Sequence, residues 1–177
     1  MSVRADCSYS LWLERELRSD HAGETGAVWI YRGVLATRPE LALRQFCLRH
    51  LGTEKRHLEK MNTLLEPEAR SALLPLWRAA GFLTGFFSGC LGQRAVYLTI
   101  AAVETFVQEH YQQQIDHAEI QDYPDIRATL EACMDDEIEH KSEATELAGV
   151  HRGKFLQGWC ALVGAGSSIA VDLARRF

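Results

Sequence analysis

The chain has 177 residues, 47% apolar and 24% charged, an ordinary globular composition with enough length to bury a substantial core. Its net charge of −5 and the lack of any Lys/Arg run exclude a nucleic-acid binder that works by charge. Cys7, Cys47, Cys90, Cys133 and Cys160 are scattered, with no CxxC pair; this excludes a disulfide framework or zinc knuckle and fits a reducing compartment.

The N-terminal "MSVRADCSYS" lacks a signal-type apolar run, and helical periodicity starts near Leu11. Six helices follow from apolar spacings of three and four, with no alternating strand pattern, so the predicted class is all-α. The first spans about 10–37 and ends at "TRPE"; the second spans about 40–65 and ends at "EPEA". The third covers about 68–90, the fourth about 93–121, the fifth about 124–150 and the sixth about 154 to the end.

Four of these helices put ionisable groups in their buried seams. Helix one offers Leu17, His21, Glu24, Val28, Tyr31 and Leu35; helix two offers Leu43, Cys47, His50, Glu54, His57, Met61 and Leu64. Helix four gives Tyr97, Ile100, Glu104, Val107 and Tyr111, and helix five gives Leu130, Cys133, Glu137, His140, Ala144 and Leu147. Cys47 and Cys133 read as small core residues. The pattern is also duplicated. Glu24 precedes Glu54-x-x-His57 by 30 residues, and Glu104 precedes Glu137-x-x-His140 by 33. A helical hairpin that occurs twice predicts a four-helix bundle with approximate twofold symmetry.

Burying an ionised carboxylate costs several kcal/mol unless it is paired, and four together also repel. No Lys or Arg stands in these seams, so the compensating charge must come from outside the polypeptide. Two divalent cations balance Glu24, Glu54, Glu104 and Glu137 and leave His57 and His140 neutral. The i, i+3 spacing sets each Glu beside its His on one helical face, and mixed oxygen and imidazole donors suit iron or manganese. One Glu from each of two helices plus Glu-x-x-His from each of two others is the ligand set of ferritin-like dimetal proteins.

The stretches "LRSDHAGETGAVWIYRG", "EKRHL", "AAVETFVQEHYQQQ" and "DDEIEH" closely resemble the demethoxyubiquinone hydroxylase family of ubiquinone biosynthesis. The resemblance covers residues from about 15 to 150 by motif. One departure is Val34, where the family pattern "YRGQ" leads us to expect Gln. What the resemblance implies is a ferritin-like di-iron monooxygenase that hydroxylates the ring of a polyprenyl demethoxyubiquinol with dioxygen. The six metal ligands carry over to Glu24, Glu54, His57, Glu104, Glu137 and His140. His110 and Tyr111 match a His-Tyr pair implicated in passing electrons to the metals. One oxygen atom enters the ring and the other leaves as water, with electrons from NADH, directly or through a separate reductase. "GAGSSI" at 164–169 lacks the third glycine and preceding strand of a dinucleotide loop.

Other residues near the ligands carry their own expectations. Tyr111, two turns after Glu104, falls on the same seam; Asp136, just before Glu137, is placed to hold His57 by its second nitrogen. The first repeat has Thr53 at the position of Asp136, which breaks the symmetry. His21 and His50 do not fit the repeat and read as hydrogen-bonding neighbours. Gly23 and Gly26 flank Glu24, each at about 1 kcal/mol against alanine in a helix. Tight packing against a neighbouring helix is the expected return, with close approach of substrate as the alternative.

Helices three and six lie outside the repeat. Their apolar runs, "AAGFLTGFFSGCLG" and "FLQGWCALVGAGSSIAV", are too short for a bilayer that needs about 20 residues. Both can lie in a membrane interface bordered by Trp77, Arg78, Trp159, Arg175 and Arg176, or pack on each other or in a homo-oligomer through Gly81, Gly85 and Gly89. The full expectation is one ferritin-like domain over 1–177, with half-repeats at about 10–65 and 93–150 and membrane-facing helices at about 68–90 and 154–177. It would act as a peripheral enzyme on the cytoplasmic face of a bacterial inner membrane, or on the matrix side of the mitochondrial one, with other ubiquinone-biosynthesis proteins as possible partners. The rival functions are a ferritin-like ferroxidase and a dimetal peroxidase.

Overall fold

A computed structural model describes residues 9–149 and 153–177. The N-terminal segment with Cys7, and the expected end of helix five at 150, lie outside the described residues. Six α-helices form: α1 Leu11–Ala36, α2 Leu41–Leu64, α3 Leu74–Cys90, α4 Gln93–Ile115, α5 Pro124–Ala148 and α6 Lys154–Ala174. Short 3-10 turns occupy Pro67–Ala69 and Ala118–Asp122, and no strand occurs among the described residues.

Local signals explain the boundaries. The Ser10 hydroxyl caps α1 by accepting from the Leu13 backbone N–H at 3.2 Å. Pro75 and Pro124 sit in first turns, where no N–H is needed. Two expected helices are shorter than their periodicity suggests. Helix three starts at Leu74, not near 68, because Pro67 opens a separate 3-10 turn. Helix four stops at Ile115, not near 121, and the chain re-forms a 3-10 turn after His117, whose ring stacks on Trp12 at 3.8 Å. Gly92 (φ 101) and Gly149 (φ 69) take the left-handed conformations that begin α4 and end α5.

α1 packs on α2, and α4 on α5. The bundle core divides into two apolar clusters. One holds Leu13 and Leu17 of α1, Met61 of α2, Tyr111 and Ile115 of α4, and Leu130 and Cys133 of α5. The other holds Val28 and Val34 of α1, Phe46 and Cys47 of α2, Val96 and Ile100 of α4, and Ala144 and Ala148 of α5. On every helix the Glu and His of the repeat lie between the residues of one cluster and those of the other, so a polar layer is sealed at both ends. Cys47 and Cys133 are free and fully buried, and burial pushes both thiols up to about 12. Leu147 departs from its expected seam position: it is exposed, and Ala148 faces the core.

α3 and α6 do not pack chiefly on each other; α3 lies along α1, and α6 along α4 and α1. The glycine stripe of α3 serves the α1 contact. A Cβ at Gly81 or Gly85 would run into the backbone carbonyls of Gly26 and Ile30, and one at Gly33 into the backbone of Phe82.

Candidate metal centre

Two overlapping groups of buried donors lie in the polar layer: Glu24, Glu54, His57 and Glu137, and Glu54, Glu104, Glu137 and His140. Within each, the donor atoms are within 4.8 Å of one another. Glu137 faces both imidazoles, with Oε1 2.9 Å from His57 Nδ1 and Oε2 3.0 Å from His140 Nδ1. Glu54 does the same, Oε1 being 3.1 Å from His140 Nδ1 and Oε2 3.9 Å from His57 Nδ1. The two Glu-x-x-His carboxylates are therefore shared, while Glu24 and Glu104 each belong to one group.

The donor set is short of positive charge. Glu24 Oε2, Glu54 Oε1, Glu137 Oε2 and His140 Nδ1 are buried without a hydrogen bond, although nitrogen and oxygen approach to 3.0 Å. Burial pushes the Glu24 and Glu104 carboxyls well above the usual range, and the neighbouring carboxylates push the same way. Glu54 is raised by burial and by Glu137. Burial would raise Glu137 too, but the imidazoles of His140 and His57 beside it outweigh this and hold it down to about 2. Burial lowers His140, yet Glu137 and Glu54 prevail and push it up to about 10. Acids that hold one another protonated while their lone pairs point inward fit two divalent cations, which supply the missing charge.

A cavity of about 390 Å³ opens onto this layer, with Glu24, Glu54, Glu104 and Glu137 in its wall. The rest of the lining comes from α1, α3, α4 and α6, and is mostly apolar.

Residues 11–174 match the family described as ubiquinone biosynthesis protein COQ7. The chain belongs to this family. It is 34% identical over 173 residues to the mitochondrial NADPH-dependent 3-demethoxyubiquinone 3-hydroxylase of Dictyostelium discoideum, covering 93% of this chain and 77% of the relative. It is 32% identical over 174 residues to the 3-demethoxyubiquinol 3-hydroxylase of Rhodospirillum rubrum, covering 97% and 81%. The mitochondrial human relative, named as the Dictyostelium one is, is 28% identical over 172 residues, covering 93% and 77%.

In this COQ7-family chain the residues around the ligands take distinct places. Tyr111 is fully buried and its hydroxyl donates to Glu24 Oε1 at 2.6 Å, reaching across from α4 to α1. Asp136 Oδ2 lies 2.9 Å from His57 Nε2, which leaves Nδ1 to face the other donors. His110 belongs to neither donor group. Its Nε2 lies 3.1 Å from Asp20 Oδ1, 3.1 Å from Ser19 Oγ and 2.9 Å from the Gln114 amide nitrogen. His21 pairs with Asn62 at 3.1 Å and His50 with Glu143 at 2.8 Å, both as hydrogen-bonding neighbours.

Two features went unread in the sequence, and a third, the expected tight packing at Gly23 and Gly26, is corrected by the structure. Asp20 is buried and holds the Gln114 amide at 2.7 Å; its signals were its place one turn before Glu24 and its presence in the stretch "LRSDHAGETGAVWIYRG". Tyr31 follows Glu24 by the same interval as Tyr111 follows Glu104 and is fully buried, yet its hydroxyl has no partner. Gly23 and Gly26 do not serve tight packing of their own side: a Cβ on either meets nothing within 4 Å, and both line the cavity.

Proposed function

We propose that the chain is a di-iron monooxygenase that hydroxylates the ring of a polyprenyl demethoxyubiquinol with dioxygen. The observation that carries this reading is the direct opening of a carboxylate-rich donor layer into an apolar cavity walled by two helices outside the bundle. A ferroxidase or peroxidase acting on small polar substrates has no use for that cavity. The ligands are Glu24 and His57 for one ion, Glu104 and His140 for the other, with Glu54 and Glu137 shared. When bound, the iron pair supplies the dioxygen chemistry. The ring carbon exchanges its C–H for C–OH, and two electrons and two protons convert the second oxygen atom to water.

The protein's own residues set the conditions for this. Asp136 fixes the His57 ring so that Nδ1 faces inward, and Tyr111 holds one oxygen of Glu24. The two apolar clusters keep water from the ends of the layer. Electrons come from NADH or NADPH, directly or through a reductase, with Tyr111 and His110 lining the cavity beside the donor layer and Tyr111 in contact with Glu24. The half-repeats α1–α2 and α4–α5 and the added α3 and α6 make one ferritin-like domain.

No helix of the described residues is long and apolar enough to cross a membrane. Instead α6 exposes Phe155, Leu162 and Ile169 seven residues apart, on one face, and α3 exposes Leu83 and Phe87. Trp77, expected at a membrane border, is buried and lines the cavity. These faces suit attachment to the membrane surface, on the cytoplasmic side of a bacterial inner membrane or the matrix side of a mitochondrial one. The functional test is the quinone profile of cells lacking the gene, together with iron content of the purified protein. Accumulated demethoxyubiquinone and two irons per chain support the assignment; normal ubiquinone rejects it.

A further inference from the structure

We propose that Gly23 and Gly26, with Asp20 one turn earlier, form the seat for the substrate's ring, and that this seat prefers the reduced, hydroxyl-bearing ring. The inference rests on the function proposed above and adds where and in which redox form the ring is held.

Gly23 is solvent-accessible although it sits in mid-helix beside Glu24, which is only 4% exposed. The opening it faces is the cavity, which touches α1 along Asp20, Gly23, Gly26 and Ile30. A side chain at either glycine would meet no neighbour within 4 Å, so helix packing does not require the glycines. Nor does the bundle architecture. Glu24 and Glu104 occupy equivalent positions in the two half-repeats, so Gly23 corresponds to Val103 and Gly26 to Phe106. Both larger residues line the same cavity from α4. The α4 part of the lining is filled and the α1 part is bare backbone, next to the Glu24 carboxylate. Such a slot admits a planar ring edge-on to Glu24.

Asp20 supplies the polar end. It is 4% exposed and lines the cavity. Its Oδ1 accepts from the Gln114 amide at 2.7 Å and lies 3.1 Å from His110 Nε2, while Oδ2 is buried with no partner. A carboxylate oxygen held in this way accepts a hydrogen bond from a quinol hydroxyl. A quinone carbonyl brings only another acceptor and is repelled.

The test uses metal-loaded protein without oxygen and measures binding of decyl-tailed demethoxyubiquinol and of its quinone by titration calorimetry, beside thermal melting and iron content. Gly23→Ala and Gly26→Ala should each melt about 2–4 °C higher, since alanine favours the helix. Each should keep two irons per chain and bind the quinol about tenfold or more weakly. Either variant binding like wild type, melting lower or losing iron overturns the ring seat. Wild type should bind quinol more tightly than quinone, and Asp20→Asn should bring the ratio toward one. Equal affinities in wild type, or an unchanged ratio in the variant, overturn the redox preference. Wild type that binds neither form defeats the functional assignment itself.

Discussion

The two half-repeats, α1–α2 and α4–α5, contribute the same ligands in the same order but support them differently. His57 of the first has Asp136 behind it; His140 of the second has no such acid, because Thr53 stands where Asp136 does, and its ring instead meets His50 edge-on at 4.1 Å. Tyr111 of the second hairpin reaches Glu24, whereas Tyr31 of the first leaves its hydroxyl unpaired. The α4 wall carries Val103 and Phe106, and the α1 wall carries glycine. Duplication accounts for the two donor groups, each able to hold a metal ion. The departures from symmetry gather on the His57 side and on the cavity wall.

The sharpest way to break the symmetry is at the shared ligands. Glu137→Ala should abolish binding of both ions, since both imidazoles lose a partner, whereas Glu104→Ala should spare the Glu24–His57 group; metal analysis of the purified variants checks this. Next in size, Asp136→Ala should weaken one ion about 10- to 100-fold and leave the other unchanged, which competitive titration reads as two separated affinities. Two weakened sites would mean that the halves are coupled through Glu54 and Glu137.

The unbalanced charge gives a pH signature. Glu24 and Glu104 titrate in the fold well above their ordinary 4.5, and His140 at about 10, above its ordinary 6.5. The folded metal-free protein therefore binds more protons than the unfolded chain, and its stability falls as pH rises. Its melting temperature should drop between about pH 6.5 and 10, and divalent metal should remove most of that drop. Glu137, held at about 2, acts oppositely, but only as pH falls below 4.5.

The tyrosines then compare the halves directly. In metal-loaded protein Tyr111→Phe should cost about 1.5–3 kcal/mol in denaturant unfolding, with iron retained and turnover slowed. Tyr31→Phe should cost less than about 1 kcal/mol, or nothing, since it removes an unpaired hydroxyl. Smallest in stability, Leu83→Glu with Phe87→Glu should leave unfolding within about 0.5 kcal/mol of wild type and reduce liposome binding. Unchanged liposome binding would point to α6 alone.

The duplicated Glu and Glu-x-x-His spacing was enough to imply a four-helix core and a donor set, because helical periodicity decides which residues share a face and buried charge must be balanced. Helix identity was legible for the same reason. Boundaries were less so: Pro67 and the Trp12–His117 stack end or divert helices through contacts that periodicity does not register. Spacing also could not say which glycines are packed and which are open. Gly81 and Gly85 abut backbone on α1, while Gly23 and Gly26 face empty space, a distinction that depends on which helix lies opposite. The position of α3 along α1, the pairing of Tyr111 with Glu24 and the cavity itself belong to the tertiary structure. Each is a relation between distant segments, fixed by how four helical faces and two apolar helices fill one volume, and no local pattern encodes it.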